Sequence, residues 1–184
     1  MTRDTPSDGR FPYAERAAAV EAAREAVDVA FRRVTRRHDV ADPATAAWEA
    51  AIARFEAAVT AAYPPDFWAL YGRLREGDTA ALDAAIEFLG ADPWFFRSGY
   101  TKARLIRLLK RLPLKPDQVQ RLRTVVVNVV DGRDRREFRD YCRLARCIDG
   151  PELPQPLVSR LAHPDEGVRR RAGWALHALG AAPK

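Results

Sequence analysis

The chain has 184 residues, of which 47% are hydrophobic and 30% are charged. This length predicts one domain, or one domain with an appendage, and provides enough apolar surface for a core. The composition excludes a collagen-like or wholly disordered chain, and no apolar run approaches the roughly 18 residues of a membrane span. The first dozen residues lack the features of an export signal, so we expect a cytoplasmic protein with reduced cysteines.

Charge is distributed unevenly along the chain. Residues 1–92 contain 11 arginines and 16 acidic residues, whereas residues 93–184 contain 20 basic and 9 acidic residues. The first half therefore has a net charge of −5 and the second half +11. A strongly basic half favours an acidic partner, and arginine suits phosphates and carboxylates. A coding bias towards alanine and arginine is the alternative source of the arginines, although it does not explain why they concentrate in one half.

The N-terminal part of the sequence predicts a helical hairpin after a disordered lead at residues 1–12. Residues 13–40 form an alanine- and glutamate-rich stretch whose apolar residues recur at helical spacing. Asp42 and Pro43 then supply an N-cap and a first-turn proline for a second helix with its own apolar stripe. We therefore predict a hairpin plus a short helix over residues 13–77.

The remaining chain, residues 78–184, predicts helices that recur in pairs. The pairs occupy residues 78–112, 115–147 and 151–180, which is the length of a helical-repeat unit. The run Val125–Val127 has the composition of a strand, but helical spacing continues through it and favours a helix. We therefore predict an all-α fold in which a short helical-repeat array follows the hairpin.

The last of these pairs resembles a HEAT repeat, with a short first helix, an Asp-bearing turn and a second helix that opens with Val-Arg. The residues that carry the resemblance are Leu157–Asp165, Val168, Arg169, Ala172, Ala175, Leu176, Leu179 and Gly180. It is clearest over residues 151–180, is looser over 78–147 and does not extend to the hairpin. The resemblance implies a concave binding surface. HEAT-like proteins are mostly scaffolds and adaptors, and a minority, including a HEAT-like DNA glycosylase family, handle nucleic acid.

Arginines on predicted helix faces are the first candidate binding residues. If these faces line one side of a repeat array, their cations form a stripe that suits an acidic protein or a phosphate backbone. The alternative is a solvated surface, relieved by nearby carboxylates. The arginines concerned are Arg104, Arg107, Arg111, Arg136, Arg139, Arg143 and Arg170.

Four aromatic rings within residues 94–100 are the second candidate. Trp94 and Tyr100 would anchor a partner or stack on bases, beside the cations Arg97 and Lys102. The alternative is that the rings fill the junction between the hairpin and the array, since large aromatic side chains are usually buried.

Catalytic chemistry is less favoured, because the sequence contains none of the common catalytic or cofactor-binding motifs. We predict no cofactor and no metal site, since the cysteines and histidines lack ligand spacing. Cys142 falls on the apolar side of its helix, which favours an inert thiol. Asp131, Asp134 and Asp140 are the carboxylates that a glycosylase-like activity would have to place in a groove.

These features together predict a non-enzymatic adaptor or antagonist that holds an acidic protein in a basic helical groove, without membrane contact. The alternative is a nucleic-acid-binding protein, including one of the HEAT-like glycosylase type. A third hypothesis is an oligomer built through the hairpin, and the oligomeric state is left open.

Overall fold

The computed structural model describes residues 11–34 and 42–180, and within them the chain is helical and contains no strand. The all-α prediction is therefore confirmed. The helices are α1 (Tyr13–Phe31), α2 (Pro43–Ala61), α3 (Phe67–Arg75), α4 (Leu82–Ala91), α5 (Ser98–Leu109), α6 (Pro116–Asp131), α7 (Phe138–Cys147), α8 (Pro154–Ser159) and α9 (Glu166–Leu179). Every helix in the described ranges is too short or too polar to cross a membrane.

Local sequence signals fix several helix ends. Asp42 caps α2, since its Oδ1 accepts a hydrogen bond from the Ala44 amide at 2.9 Å, as predicted. Asp165 caps α9 in a similar way, by accepting from the Val168 amide at 3.1 Å. Gly180 ends α9 in the left-handed conformation, with φ of 72°, which a glycine adopts without steric cost. The sequence predicts this last helix over residues 166–179, and these bounds are confirmed.

Three other helices begin or end at residues that the sequence did not predict. After Phe31 the backbone of α1 continues in hydrogen bonds between residues three apart. The predicted continuation of this helix over residues 35–40 lies outside the described residues. Residues 1–10 of the predicted lead also lie outside them. The sequence predicts that the second helix of the pair 78–112 begins near Thr101, whereas α5 begins at Ser98. Helix α7 begins at Phe138, so Arg136 lies in the preceding turn and not, as predicted, on a helix face.

The described residues form two compact units, and the first contains the chain up to Phe67 together with Pro93–Phe96. In it α1 packs against α2, and the Phe31 and Trp48 ring centroids lie 5.4 Å apart. The segment 93–96 adds two further ring contacts to this unit, Phe96 with Phe55 at 5.4 Å and Phe95 with Tyr63 at 5.3 Å.

The second unit contains Trp68–Asp92 and the chain from Arg97 onward, so it includes most of α3 and all of α4–α9. Helices α4, α6 and α8 contact one another in order, and α5, α7 and α9 do the same. Within each consecutive pair, α4 packs on α5, α6 on α7 and α8 on α9. Leucines with no exposed surface form the centre of this unit, among them Leu122, Leu144 and Leu176. The run Val125–Val127 lies inside α6, which confirms the helical prediction over the strand alternative.

Candidate functional site

Two adjoining cavities lie along α7, α9 and the loop that precedes α7. Their volumes are about 560 Å³ and about 390 Å³. Arg135, Arg136, Phe138 and Trp174 line both cavities, and we call the combined depression the α7–α9 groove. The remaining lining residues are Arg139, Cys142, Arg143, His177 and Ala178 in the larger cavity, and Asp134, Arg170 and Arg171 in the smaller one.

Two exposed aromatic rings at this surface are stacked against arginines. Trp174 keeps 52% of its surface exposed, and Cζ of Arg170 lies 5.5 Å from its ring centroid. Tyr100 is 50% exposed, with Cζ of Arg136 at 4.7 Å from its centroid. Arg136 also donates a hydrogen bond from Nη1 to the Tyr100 hydroxyl at 2.5 Å. Each ring therefore presents a flat apolar surface with a positive charge fixed beside it.

The predicted arginine stripe is only partly gathered at this groove. Four of its members line the cavities: Arg136, Arg139, Arg143 and Arg170. Three others, on α5 or just after it, line neither cavity: Arg104, Arg107 and Arg111. Of the two predicted aromatic residues, Tyr100 reaches the groove through Arg136, whereas Trp94 belongs to the first unit and lines neither cavity.

All three carboxylates singled out from the sequence are paired with arginines. Asp140 lies 3.2 Å from Arg107 and 3.5 Å from Arg143, and Asp131 lies 2.6 Å from Arg160. Asp134 accepts hydrogen bonds from Arg171 at 2.6 Å and from Arg170 at 2.7 Å. Those two hydrogen bonds lower the pKa of Asp134, so it stays ionised at neutral pH. The three aspartates hold arginines in place, which argues against a role in acid–base chemistry.

A buried charged cluster adjoins the groove and was not predicted from the sequence. We call it the Asp92 cluster, and its members are Asp92, Lys102, Arg135, Glu137 and Tyr141. Nζ of Lys102, which has no exposed surface, lies 2.5 Å from Oδ1 of Asp92. Arg135 donates from Nη1 to both Asp92 oxygens, at 2.7 and 2.9 Å. Burial lowers the pKa of Lys102, while the charge of Asp92 opposes this effect. One carboxylate thus bridges two buried cations.

Glu137 and Tyr141 complete the cluster. Oε1 of Glu137 and the hydroxyl of Tyr141 are buried and have no hydrogen-bond partner among the described residues. The Glu137 carboxylate lies directly against Gly99 at the start of α5, where an added Cβ would come within 2.7 Å of Oε2. Burial raises the pKa of Tyr141, so its hydroxyl remains protonated. Close packing of Glu137 therefore depends on the absence of a side chain at Gly99.

Arg171 also holds the loop between α6 and α7. Although it belongs to a run of three arginines in α9, it is only 4% exposed. It donates from Nε to the Val130 carbonyl at 2.9 Å, and it also donates to the Gly132 carbonyl and to Asp134. Together with the Asp92 cluster, these bonds hold the loop that carries Arg136 into the groove.

Trp174 and His177 are groove residues that the sequence prediction lacked. The signal for Trp174 lies in the spacing of α9, whose buried residues Val168, Ala172 and Ala175 define the inward face. A tryptophan outside that face is directed towards solvent, as its 52% exposure shows.

The groove also contains the thiol of Cys142. Burial raises its pKa to about 11, so the thiolate needed for nucleophilic attack is scarce at neutral pH. Within residues 11–34 and 42–180, no group of three or more His, Cys, Asp or Glu side chains is placed to hold a metal ion. The groups that the groove presents to a ligand are guanidinium groups and aromatic rings.

Comparisons of the chain with protein-family models, with curated proteins and with solved structures find no match.

Proposed function

We propose that this protein binds nucleic acid through the α7–α9 groove. The observation that carries the proposal is the stacked pair of Trp174 and Arg170 beside a cavity that Arg139 and Arg143 also line. Nucleic acid presents both of the chemical features that such a surface recognises, a phosphate backbone for the arginines and flat bases for the exposed ring. Tyr100 on α5 and Arg136 provide a second exposed ring with an arginine beside it.

The order of helix contacts supports this location for the binding surface. In a HEAT-like array the second helices of successive pairs line one side, and we propose that α5, α7 and α9 have this role. Their mutual contacts, α5 with α7 and α7 with α9, fit such a row. The resemblance of residues 151–180 to a HEAT repeat then implies that the exposed arginines of α7 and α9 belong to one concave surface.

An acidic protein partner, which the sequence favoured, fits the groove less well. Arg107, Arg143 and Arg170 lie beside carboxylates, which makes the surface less attractive to an acidic protein and to a phosphate backbone alike, so the size of the site distinguishes the two partners. A standard protein interface covers about 800 Å² on each partner, whereas a cavity of a few hundred Å³ admits a single compact group. A base or a phosphate is such a group. We therefore rank nucleic acid first and retain the acidic protein as the alternative.

The salt dependence of DNA binding tests the proposal. Binding of a fluorescent duplex is measured by anisotropy at about 50 and about 200 mM salt, because each neutralised phosphate contributes to the slope of affinity against salt. The double variant Arg139→Ala/Arg143→Ala is expected to reduce that slope by about two and to weaken binding at both concentrations. Asp140 keeps its contact with Arg107 in this variant, so no buried carboxylate loses all of its partners.

The matched control is Arg75→Ala/Arg121→Ala, which removes the same charge from exposed positions on α3 and α6 that line neither cavity. If both double variants weaken binding equally, the attraction is that of any basic surface and the groove is not the site. If the parent protein binds neither the duplex nor one of its separated strands at either salt concentration, the proposal is wrong and the acidic protein becomes the better hypothesis.

A further inference from the structure

We infer that the larger cavity of the groove takes an unpaired base, so that the protein prefers single-stranded nucleic acid over a duplex. This inference deepens the proposed function, because it names the form of nucleic acid that the same site recognises. In it the base stacks on Trp174, and the adjoining phosphates lie between Arg139 and Arg143.

Trp174 is suited to stack on a base because of how it is held. Arg170 lies over the indole and is itself fixed by Asp134, with Nη2 of the arginine 2.7 Å from Oδ2 of the carboxylate. The Phe138 ring contacts the indole at a centroid distance of 6.0 Å and an interplanar angle of 51°. The ring is therefore supported on two sides, yet about half of its surface stays exposed. Since Arg170 lines only the smaller cavity, the larger one is left for a ligand.

The arginines of the larger cavity supply the complementary charge. Arg139 makes no hydrogen bond or ion pair with any other described residue, and Arg143 has only a long contact of 3.5 Å with Asp140. Both are on α7, one helical turn apart, so their side chains project from the same face. They are available for phosphate oxygens without first breaking a short salt bridge.

The size of the cavity distinguishes a single strand from a duplex. About 560 Å³ lies within the range of pockets that hold small organic groups, so an individual base and its sugar would fit. In a duplex each base is paired and stacked on both faces, and it would have to leave the helix to reach Trp174 at a cost of a few kcal/mol. A single strand has no pairing to break.

The experiment compares three fluorescent probes of about 12 nucleotides, a length within the site size of single-strand-binding domains. They are oligothymidine, its duplex with oligoadenine, and an abasic strand that keeps the phosphates but has no bases. The parent protein should bind oligothymidine at least about fivefold more tightly than the abasic strand, which is the lower limit for one base–aromatic stack. It should also prefer oligothymidine to the duplex.

The variant Trp174→Ala should lose the preference for bases and bind oligothymidine and the abasic strand alike. Trp174→Phe should restore part of the preference, which separates the loss of stacking from a loss of folding. Trp68→Ala is the matched control, because Trp68 is 49% exposed and lines neither cavity. It should leave all three affinities unchanged.

The outcomes separate this inference from the proposed function. If the parent protein binds the duplex as tightly as oligothymidine, or if Trp174→Ala keeps the preference for bases, the inference is wrong while the proposed function stands. If none of the three probes binds, both are wrong. Selective loss of the base preference in Trp174→Ala, with Trp68→Ala unchanged, supports the inference.

Discussion

Replacing Asp92 by asparagine should destabilise the protein strongly, because its carboxylate bridges two buried cations. Asp92 has φ of 45°, in the left-handed region, which asparagine adopts at least as readily as aspartate. The substitution keeps the size of the side chain and does not strain the backbone. What it removes is the negative charge that faces Lys102 at 2.5 Å and Arg135 at 2.7 Å.

The expected magnitude follows from the burial of the two cations. The Lys102 side chain is 0% exposed and that of Arg135 is 1% exposed, so neither can recover its hydration. Removing one partner of a fully buried ion pair costs about 3–5 kcal/mol. The Asp92 side chain is itself 32% exposed and the Glu137 charge remains near both cations, so we expect Asp92→Asn to cost about 2–3 kcal/mol. In contrast, Lys102→Met removes a cation and leaves the pair between Asp92 and Arg135. Because an apolar side chain of similar length replaces the lysine, the change should stay within about 1.5 kcal/mol.

Urea unfolding followed by circular dichroism near neutral pH measures both changes. The exposed pair formed by Asp83 and Arg121 provides the control, since Asp83→Asn should cost less than about 1 kcal/mol. The reasoning is refuted if Asp92→Asn costs no more than Asp83→Asn, or if Lys102→Met costs as much as Asp92→Asn. In the double variant Asp92→Asn/Lys102→Met only one buried cation loses its partner, so the combined cost should be smaller than the sum of the single costs.

The pH dependence of the free energy of unfolding is an independent test of the burial of Lys102. Burial lowers the pKa of Lys102 in the folded protein below the ordinary lysine value of 10.5. In alkaline solution Lys102 therefore binds more protons in the unfolded chain than in the folded one, and its contribution to the free energy of unfolding rises with pH up to about 10.5. Tyr141, whose pKa is raised by burial, acts in the opposite direction above about pH 10. The contribution of Lys102 should be absent in Lys102→Met.

Two further predictions concern glycine packing and thiol reactivity. Gly99→Ala should lower the free energy of unfolding by about 1–3 kcal/mol, because the new Cβ would meet the Glu137 carboxylate at 2.7 Å. Gly72→Ala is the control: no atom lies within 4 Å of its new Cβ, and it should stabilise α3 by about 0.5–1 kcal/mol. Urea unfolding measures both, and equal effects of the two substitutions would contradict the packing at Gly99. In the second, a thiol reagent should modify the exposed Cys147 promptly and Cys142 slowly, at a rate that increases with pH towards about 11. Comparable rates near neutral pH would show that Cys142 is not held as described.

The helices could be predicted from the sequence because their signals are local. Asp42 and Asp165 cap helices through amides two and three residues away, and Gly180 ends α9 through its own backbone conformation. The start of α7 was predicted wrongly from the sequence. Residues 135–137 have side chains that suit a helix, but Arg135 and Glu137 are drawn into the Asp92 cluster, and the segment remains a turn.

The charged cluster could be suspected from the sequence, although its partners could not be named. Lys102 lies three, four and seven residues before Leu105, Ile106 and Leu109, which are all buried, so it occupies a position of the apolar stripe. A cation at such a position indicates a buried partner. The partner is Asp92, for which the sequence pattern indicates only that a helix ends there. The fold also brings it to Arg135, 43 residues further along, through a contact that no local pattern encodes.

The long-range contact of Arg171 bears on how the C-terminal end of the second unit can open. A row of helix pairs that touch only their neighbours loses its terminal pair first. Here Arg171 on the last helix reaches back 41 residues to the carbonyl of Val130. Detaching α9 would expose that carbonyl and release the loop that carries Arg136. The last helix is thereby tied to the middle of the unit, and we expect it to unfold together with α6 and α7 rather than to fray alone.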